Sequence, residues 1–217
     1  GIYRINELDS GTITIDGVDV SQLALCDLRA KLLIIPQDPV LFEGTIRSNL
    51  DPFQNCDDDT LWESLRRSGL VKGEDLLVAR STKWTPGAEA SLHKFHLDRI
   101  VEDDGSNFSL GEKQLLALAR SLIRNTRILI LDEATLSVDY ETDAKIQQTI
   151  ATEFSKCTVL CIAHRLRTIL SYDRIIVMDD GHIVEKGVPF VLFQQNGLFK
   201  NMCDKAQITI DDFYKRG

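Results

Sequence analysis

Three short stretches carry residues that can do chemistry, and they follow one another in a telling order. Asn107-Phe108-Ser109-Leu110-Gly111-Glu112-Lys113-Gln114 reads as a helix start, because Ser109-x-x-Glu112 is a capping box. Backbone N–H groups at such a start, together with the Ser109 hydroxyl, make a ready anion site. Ile128-Leu129-Ile130-Leu131-Asp132-Glu133 is an apolar run ending in two carboxylates. Asp132 can hold Mg²⁺, usually through water, since that ion gives up its hydration reluctantly. Glu133 can then polarise an attacking water, a general-base role of about 10²–10⁴ in rate. Cys161-Ile162-Ala163-His164 is a second apolar run, closed by an imidazole that when neutral can hydrogen-bond a phosphate oxygen and report its loss. Gln37, just past Leu32-Leu33-Ile34-Ile35-Pro36, offers a side-chain carbonyl to the metal or its water. Taken singly, a capped core helix, an Asp-Glu pair after a strand and a structural histidine would account for these residues; the chemistry rests on the series.

The elements that must position them follow from pattern. Leu32 to Ile35, Ile128 to Leu131 and Thr158 to Ile162 are short apolar runs, each read as a strand. The helix opened at Ser109 has Leu115, Leu116, Leu118, Ala119, Leu122 and Ile123 for its apolar face. A second helix, Glu141 to Phe154, puts Ala144, Ile146, Ile150 and Phe154 on one face. Strands alternating with helices imply a parallel sheet covered on both faces, and ligands bind at the C-terminal ends of such strands. Asp16-Gly17 and Asp179-Asp180-Gly181 mark two β-hairpins. Ile2, Ile5 and Leu8 are spaced as in the tail of a helix. Asp27 to Ala30 is a short helical turn, and Thr45 to Leu50 a brief helix stopped before Pro52. Thr60 to Ser68 is a helix with Gly69 as its C-terminal cap, and Asp57-Asp58-Asp59 complement its positive start rather than hold a metal. Lys72 to Ser106 is polar and without clear periodicity. Val188 to Lys205 is helical, interrupted at Asn196-Gly197. The fold class is therefore α/β, with antiparallel hairpins and an inserted helical subdomain. The domain reading is an α/β core over 1–36 and 125–217 and a helical subdomain over 37–124.

Composition sets bounds. A chain of 217 residues that is 43% hydrophobic can fill the core of one domain. No apolar stretch approaches the length of a membrane-spanning helix. A net charge of −8 gives no basic footprint for nucleic acid. The five cysteines include no Cys-x-x-Cys and read as free thiols.

In this order the motifs resemble the nucleotide-binding domain of ATP-binding cassette (ABC) transporters over nearly the whole chain. Ile35-Pro36-Gln37-Asp38-Pro39 is similar to the Q-loop, Ser109-Leu110-Gly111-Glu112 to the signature, Asp132-Glu133 to Walker B, Leu136-Ser137-Val138-Asp139 to the D-loop and His164 to the switch histidine. Phe42 to Phe53 is similar to the second such domain of the C subfamily, the multidrug-resistance and conjugate exporters. The resemblance implies a P-loop NTPase core, ATP and Mg²⁺, and export driven by ATP hydrolysis. It implies a head-to-tail dimer with a second nucleotide-binding domain, expected within the same polypeptide, docked on transmembrane domains at the cytoplasmic face of a membrane. Gln37, Asp132, Glu133 and His164 would serve this domain's own nucleotide, with Asp132 and Gln37 toward the metal and Glu133 and His164 catalytic. Ser109 and Gly111 would serve the partner's nucleotide, Asp139 would lie at the shared site, and Phe42 to Leu50 would lie near the transmembrane helices.

The sequence also departs from the pattern. Leu110 stands where the signature usually has Gly, Glu112 where it has Gln, and Leu136 where the D-loop has Ser. A leucine side chain and an extra negative charge are expected to weaken the signature's grip on a phosphate. The phosphate loop, Gly-x-x-x-x-Gly-Lys-Ser/Thr, does not occur among these residues. The chain is thus expected to be a part of a longer exporter, beginning after that loop and inactive by itself. The alternative is a natural module without catalysis that lends its signature helix to another nucleotide-binding domain.

Overall fold

Asp16 and Gly17 both take positive φ, 51° and 80°, which a two-residue hairpin turn needs to match the twist of its strands. They join strand β1 (Thr14–Ile15) to antiparallel β2 (Val18–Asp19). The computed structural model describes residues 1–82, 92–124, 126–132, 138–163 and 165–214. Residues Gly1 to Leu8 are not the end of a helix. Arg4 sits at φ 48° and breaks any helical run, and Ile5 and Leu8 are exposed. The segment is held by other means: the Tyr3 hydroxyl donates to the Leu32 carbonyl (3.0 Å), and Arg4 donates to those of Val20 and Leu23.

Helix α1 (Leu25–Lys31) runs into strand β3 (Leu32–Ile35), which stops at Pro36. Strand β4 (Gly44–Thr45) leads into helix α2 (Ile46–Leu50), where Thr45 and Ser48 form a capping box. Helix α3 (Asp58–Arg67) is capped by Asp57, whose carboxylate accepts from the Thr60 amide (2.9 Å). Asp58 pairs with Arg47 and Asp59 with Arg80, so the acidic triplet is spent on the helix start and two arginines. Among the described residues no group of three or more His, Cys, Asp or Glu is placed to hold a metal. Gly69, at φ 80°, lets the Leu70 amide turn back to the Leu65 carbonyl and end the helix. The stretch without sequence periodicity contains helix α4 (Gly73–Ser81) and strand β5 (Ile100–Val101), which pairs with β4. Residues 83–91, with Pro86 and Gly87, lie outside the described residues. Helix α5 (Leu110–Ile123) starts at its expected cap, Ser109, and buries Leu115, Leu116, Leu118 and Ala119.

Strand β6 (Ile128–Asp132), helix α6 (Tyr140–Glu153) and strand β7 (Thr158–Ile162) complete the α/β part. The parallel sheet runs β3-β6-β7, with Ile35 opposite Leu131 and Asp132 opposite Ile162. Leu129, Ile130 and Leu131 are all buried, as a strand covered on both faces requires. Strand β7 departs from that expectation. Leu160 and Ile162 are exposed, so only the Val159 and Cys161 side packs on the core. Helix α6 buries Ile146, Ile150 and the following Phe154, while Ala144 is exposed. Cys157 donates to the Thr126 carbonyl (3.1 Å), and among the described residues no cysteine forms a disulfide. No described helix is long and apolar enough to cross a membrane.

Residues 163–217 make a second unit with its own core. It comprises α7 (Leu166–Ile169), the hairpin of β8 (Ile175–Asp179) and β9 (His182–Gly187), and helices α8 (Pro189–Gln194) and α9 (Leu198–Lys205). Ile175, Val177, Leu192, Phe199, Cys203 and Ile208 are buried together. Gly197, at the start of α9, has no capping side chain. A distant residue supplies the cap: the Glu185 carboxylate accepts from the Leu198 and Phe199 amides at 2.5 and 3.0 Å. Glu185→Ala should therefore cost about 1–2 kcal/mol of this unit's stability, read from the urea midpoint. An unchanged midpoint would show the cap to be idle.

Candidate functional site

Two described site residues stand at one edge of the parallel sheet. Asp132 is the last residue of β6 and is exposed, although the three residues before it are buried. Gln37 follows the end of β3 by two positions and is also exposed. Parallel pairing of β3 with β6 puts both beyond the C-terminal ends of their strands, where open α/β sheets bind ligands. An exposed carboxylate and an amide carbonyl are hard oxygen donors, the type that suits Mg²⁺. Glu133 and His164 lie outside the described residues.

The Gln37 main chain is tied to the signature-like helix. The Gln114 side-chain amide donates to the Gln37 carbonyl at 3.1 Å. Gln114 is buried, and its own side-chain oxygen has no hydrogen-bond partner among the described residues. A residue near Asp132 in the fold and a residue on α5 are thus linked through one amide, a connection that no local sequence pattern announces.

At the start of α5, about one turn before Gln114, the capping box is complete. The Ser109 hydroxyl accepts from the Glu112 amide (3.3 Å), and the Glu112 carboxylate accepts from the Ser109 amide (2.9 Å). The extra charge of Glu112 does not stand alone. The Lys94 ammonium reaches both carboxylate oxygens, at 2.7 and 2.9 Å. Burial pushes the Glu112 pKa up, but the Lys94 and Ser109 hydrogen bonds outweigh it and hold the carboxyl below its ordinary range. Lys94 lies in the stretch without periodicity, and only the folded chain brings it to the helix start.

Gly111 is buried, and it faces the start of the neighbouring helix. A Cβ there would come within 2.7 Å of Thr142 Cγ2 and 3.3 Å of Val138 Cγ1. The glycine therefore lets α5 lie against the start of α6. Gly111→Ala should cost about 1–3 kcal/mol through overpacking, seen as a lowered thermal midpoint; Thr142→Ala in the same chain should recover part of it. Asp139 is the cap of α6, its carboxylate accepting from the Thr142 amide at 3.0 Å. That hydrogen bond lowers its pKa. So the Asp139 and Gly111 side of the site is one joint, in which the capped starts of α5 and α6 meet.

The comparisons with known proteins bear on the family and the fold. Residues 2–136 match the ABC transporter family. The chain is 57% identical over 217 residues to the oligomycin resistance ATP-dependent permease YOR1 of Saccharomyces cerevisiae, covering 99% of the chain and 15% of that protein. It is 50% identical over 214 residues to the ABC-type transporter cicA of Emericella nidulans, covering 97% and 15%. The chain thus spans about one seventh of the length of these curated relatives. Among solved structures, a bacterial Atm1-family ABC exporter with ATP bound superimposes with a TM-score of 0.79 at 30% identity, over 96% of this chain and 34% of that one. The sheet edge and the capped helices are those of a P-loop NTPase fold, and by sequence and structure together this chain belongs to the ABC transporter family.

Proposed function

We propose that this chain is part of an ATPase domain that drives export across a membrane, binding ATP between itself and a second nucleotide-binding domain. The observation that carries the proposal is the shared sheet edge, where Gln37 lies two positions past β3 and Asp132 ends β6, with the Gln37 carbonyl tied to the helix started by Ser109. Asp132 and Gln37 would hold Mg²⁺, which when bound would neutralise charge on the phosphates. Glu133 takes a proton from the attacking water, and His164 hydrogen-bonds the γ-phosphate. Ser109 and the amides of the first turn of α5 receive the phosphates of the partner's nucleotide, and Asp139 holds the joint between the two capped helices. The relative YOR1, named for oligomycin resistance, supports export of drug-like compounds as the cargo.

The coupling surface is read from the same unit. Val40 and Phe42 are exposed. The Phe42 backbone is fixed, however: its amide donates to the Asn49 side-chain oxygen (2.8 Å), and the Asn49 amide group donates back to its carbonyl (2.7 Å). A rigid backbone that displays an apolar side chain suits docking against a transmembrane domain at the cytoplasmic face. The test is ATP hydrolysis and drug efflux by the complete polypeptide that carries these residues. ATP-dependent efflux abolished by Asp132→Asn supports the proposal. Efflux and hydrolysis that survive this change overturn it, in favour of a module that only lends its signature helix to another domain.

A further inference from the structure

We infer that Lys94 is a positioning residue for the nucleotide reaction: it holds Glu112 in the capping box and cancels its charge, so that the Ser109 end of α5 stays receptive to a triphosphate. The inference rests on the reading above that this helix end meets ATP. Its own ground is the geometry around Glu112. A capping box works with Glu or Gln, and only Glu brings a full negative charge to a place meant for an anion. Lys94 answers that charge with two hydrogen bonds of 2.7 and 2.9 Å. The adjacent Lys113 does not, since its ammonium goes to the Asp104 carbonyl at 2.5 Å.

Lys94 is delivered to this spot by packing. Phe95 and Phe108 are both buried, with their rings stacked 6.0 Å apart, and each adjoins a residue of the site: Phe95 follows Lys94, and Phe108 precedes Ser109. The Lys94 ammonium also lies 5.9 Å from the Phe95 ring centre. The aromatic pair therefore fixes the distance between the ammonium and the helix start. The Glu112 side chain is 22% exposed and that of Lys94 52%. The carboxylate is sheltered enough for its charge to be felt, and the ammonium is open enough to reach solvent and, with it, a phosphate.

The test uses the complete ATPase polypeptide and four variants. Lys94→Met keeps most of the aliphatic length of the side chain and removes the charge. It should raise the KM for ATP about 5–20-fold, with kcat little changed, because an uncompensated carboxylate then faces the phosphates across a few ångströms. Adding Glu112→Gln to Lys94→Met should restore the parent KM, and Lys94→Arg should keep it. The rise should also shrink as salt is added. A KM unmoved by Lys94→Met, or raised and not restored by Glu112→Gln, overturns the inference, since a merely structural lysine would give one of those results. Ser109→Arg separates the two levels. If it leaves turnover intact, the helix end does not meet the nucleotide, and both the reading above and this inference fall. If Ser109→Arg is inactive and Lys94→Met is silent, only the role of Lys94 is lost.

Discussion

Replacing Glu133 with Gln in the complete polypeptide should lower ATP turnover by about 10²–10⁴ while leaving nucleotide binding in place. The argument begins at β6. Leu129, Ile130 and Leu131 are buried, so the strand cannot slide along its neighbours without exposing them. Its register with β3 and β7 is fixed at Ile35–Leu131 and Asp132–Ile162. Asp132 is thereby delivered to the sheet edge, and the next residue in the chain is the second carboxylate. Glutamine keeps the volume and hydrogen-bonding reach of glutamate and removes its basicity. The loss should therefore fall on the chemical step. Single-turnover phosphate release against nucleotide retained on the protein measures the two separately. Asp132→Asn gives the contrast: it removes a metal ligand, so binding of the Mg²⁺-nucleotide should weaken along with turnover. Full turnover by the Glu133→Gln variant would remove Glu133 from the mechanism and leave the sheet edge as a binding site only.

What was legible in the sequence was what local physics decides. The run Leu32 to Ile35 could be helical by periodicity alone, but its length and the flanking Pro36 favour a strand, and it is β3 with those bounds. The two Asp-Gly turns carry the positive φ that the backbone demands at Asp16-Gly17 and Asp180-Gly181. Ser109 and Glu112 announce both the start of α5 and its direction. What was hidden depends on residues far apart in the chain. Lys94 meets Glu112 only because Phe95 stacks on Phe108. The missing side chain of Gly111 makes room for Thr142 and Val138, a packing role that the motif does not show. The spacing of Ala144 fits the apolar face of α6, but the residue is exposed, because a period constrains a face without saying how wide the covered stripe is. Helix α4 gives no periodic signal because Leu77 and Val78 are exposed and its sequence is scarcely amphipathic. The first eight residues are not helical because of Arg4, where spacing alone cannot show a left-handed backbone.

The 217-residue polypeptide taken alone should bind ATP about three orders of magnitude or more weaker than a domain that includes a phosphate loop. On the function proposed above, the groups that would meet a triphosphate are the Ser109 hydroxyl with the first-turn amides of α5, the oxygens of Gln37 and Asp132, and the imidazole of His164. Gln37 and Asp132 would act through Mg²⁺ and bring no positive charge of their own. The amides of α5 would face a nucleotide seated on a partner, so they would add nothing to a lone chain. The sequence holds no Gly-x-x-x-x-Gly-Lys-Ser/Thr, and that loop contributes a lysine and a nest of amides to the β- and γ-phosphates. Each charge-assisted hydrogen bond contributes roughly 1.5–3 kcal/mol. Without three of them the binding free energy falls by about 4.5 kcal/mol or more, which is the stated loss of affinity. The net charge of −8 works in the same direction, because it repels a polyanion at low salt. Isothermal titration of the chain with Mg²⁺-ATP measures this directly, and joining a phosphate loop to its start should recover the affinity. Micromolar binding by residues 1–217 alone would mean that the described groups hold the triphosphate unaided, and the division of labour between this chain and a phosphate loop would have to be redrawn.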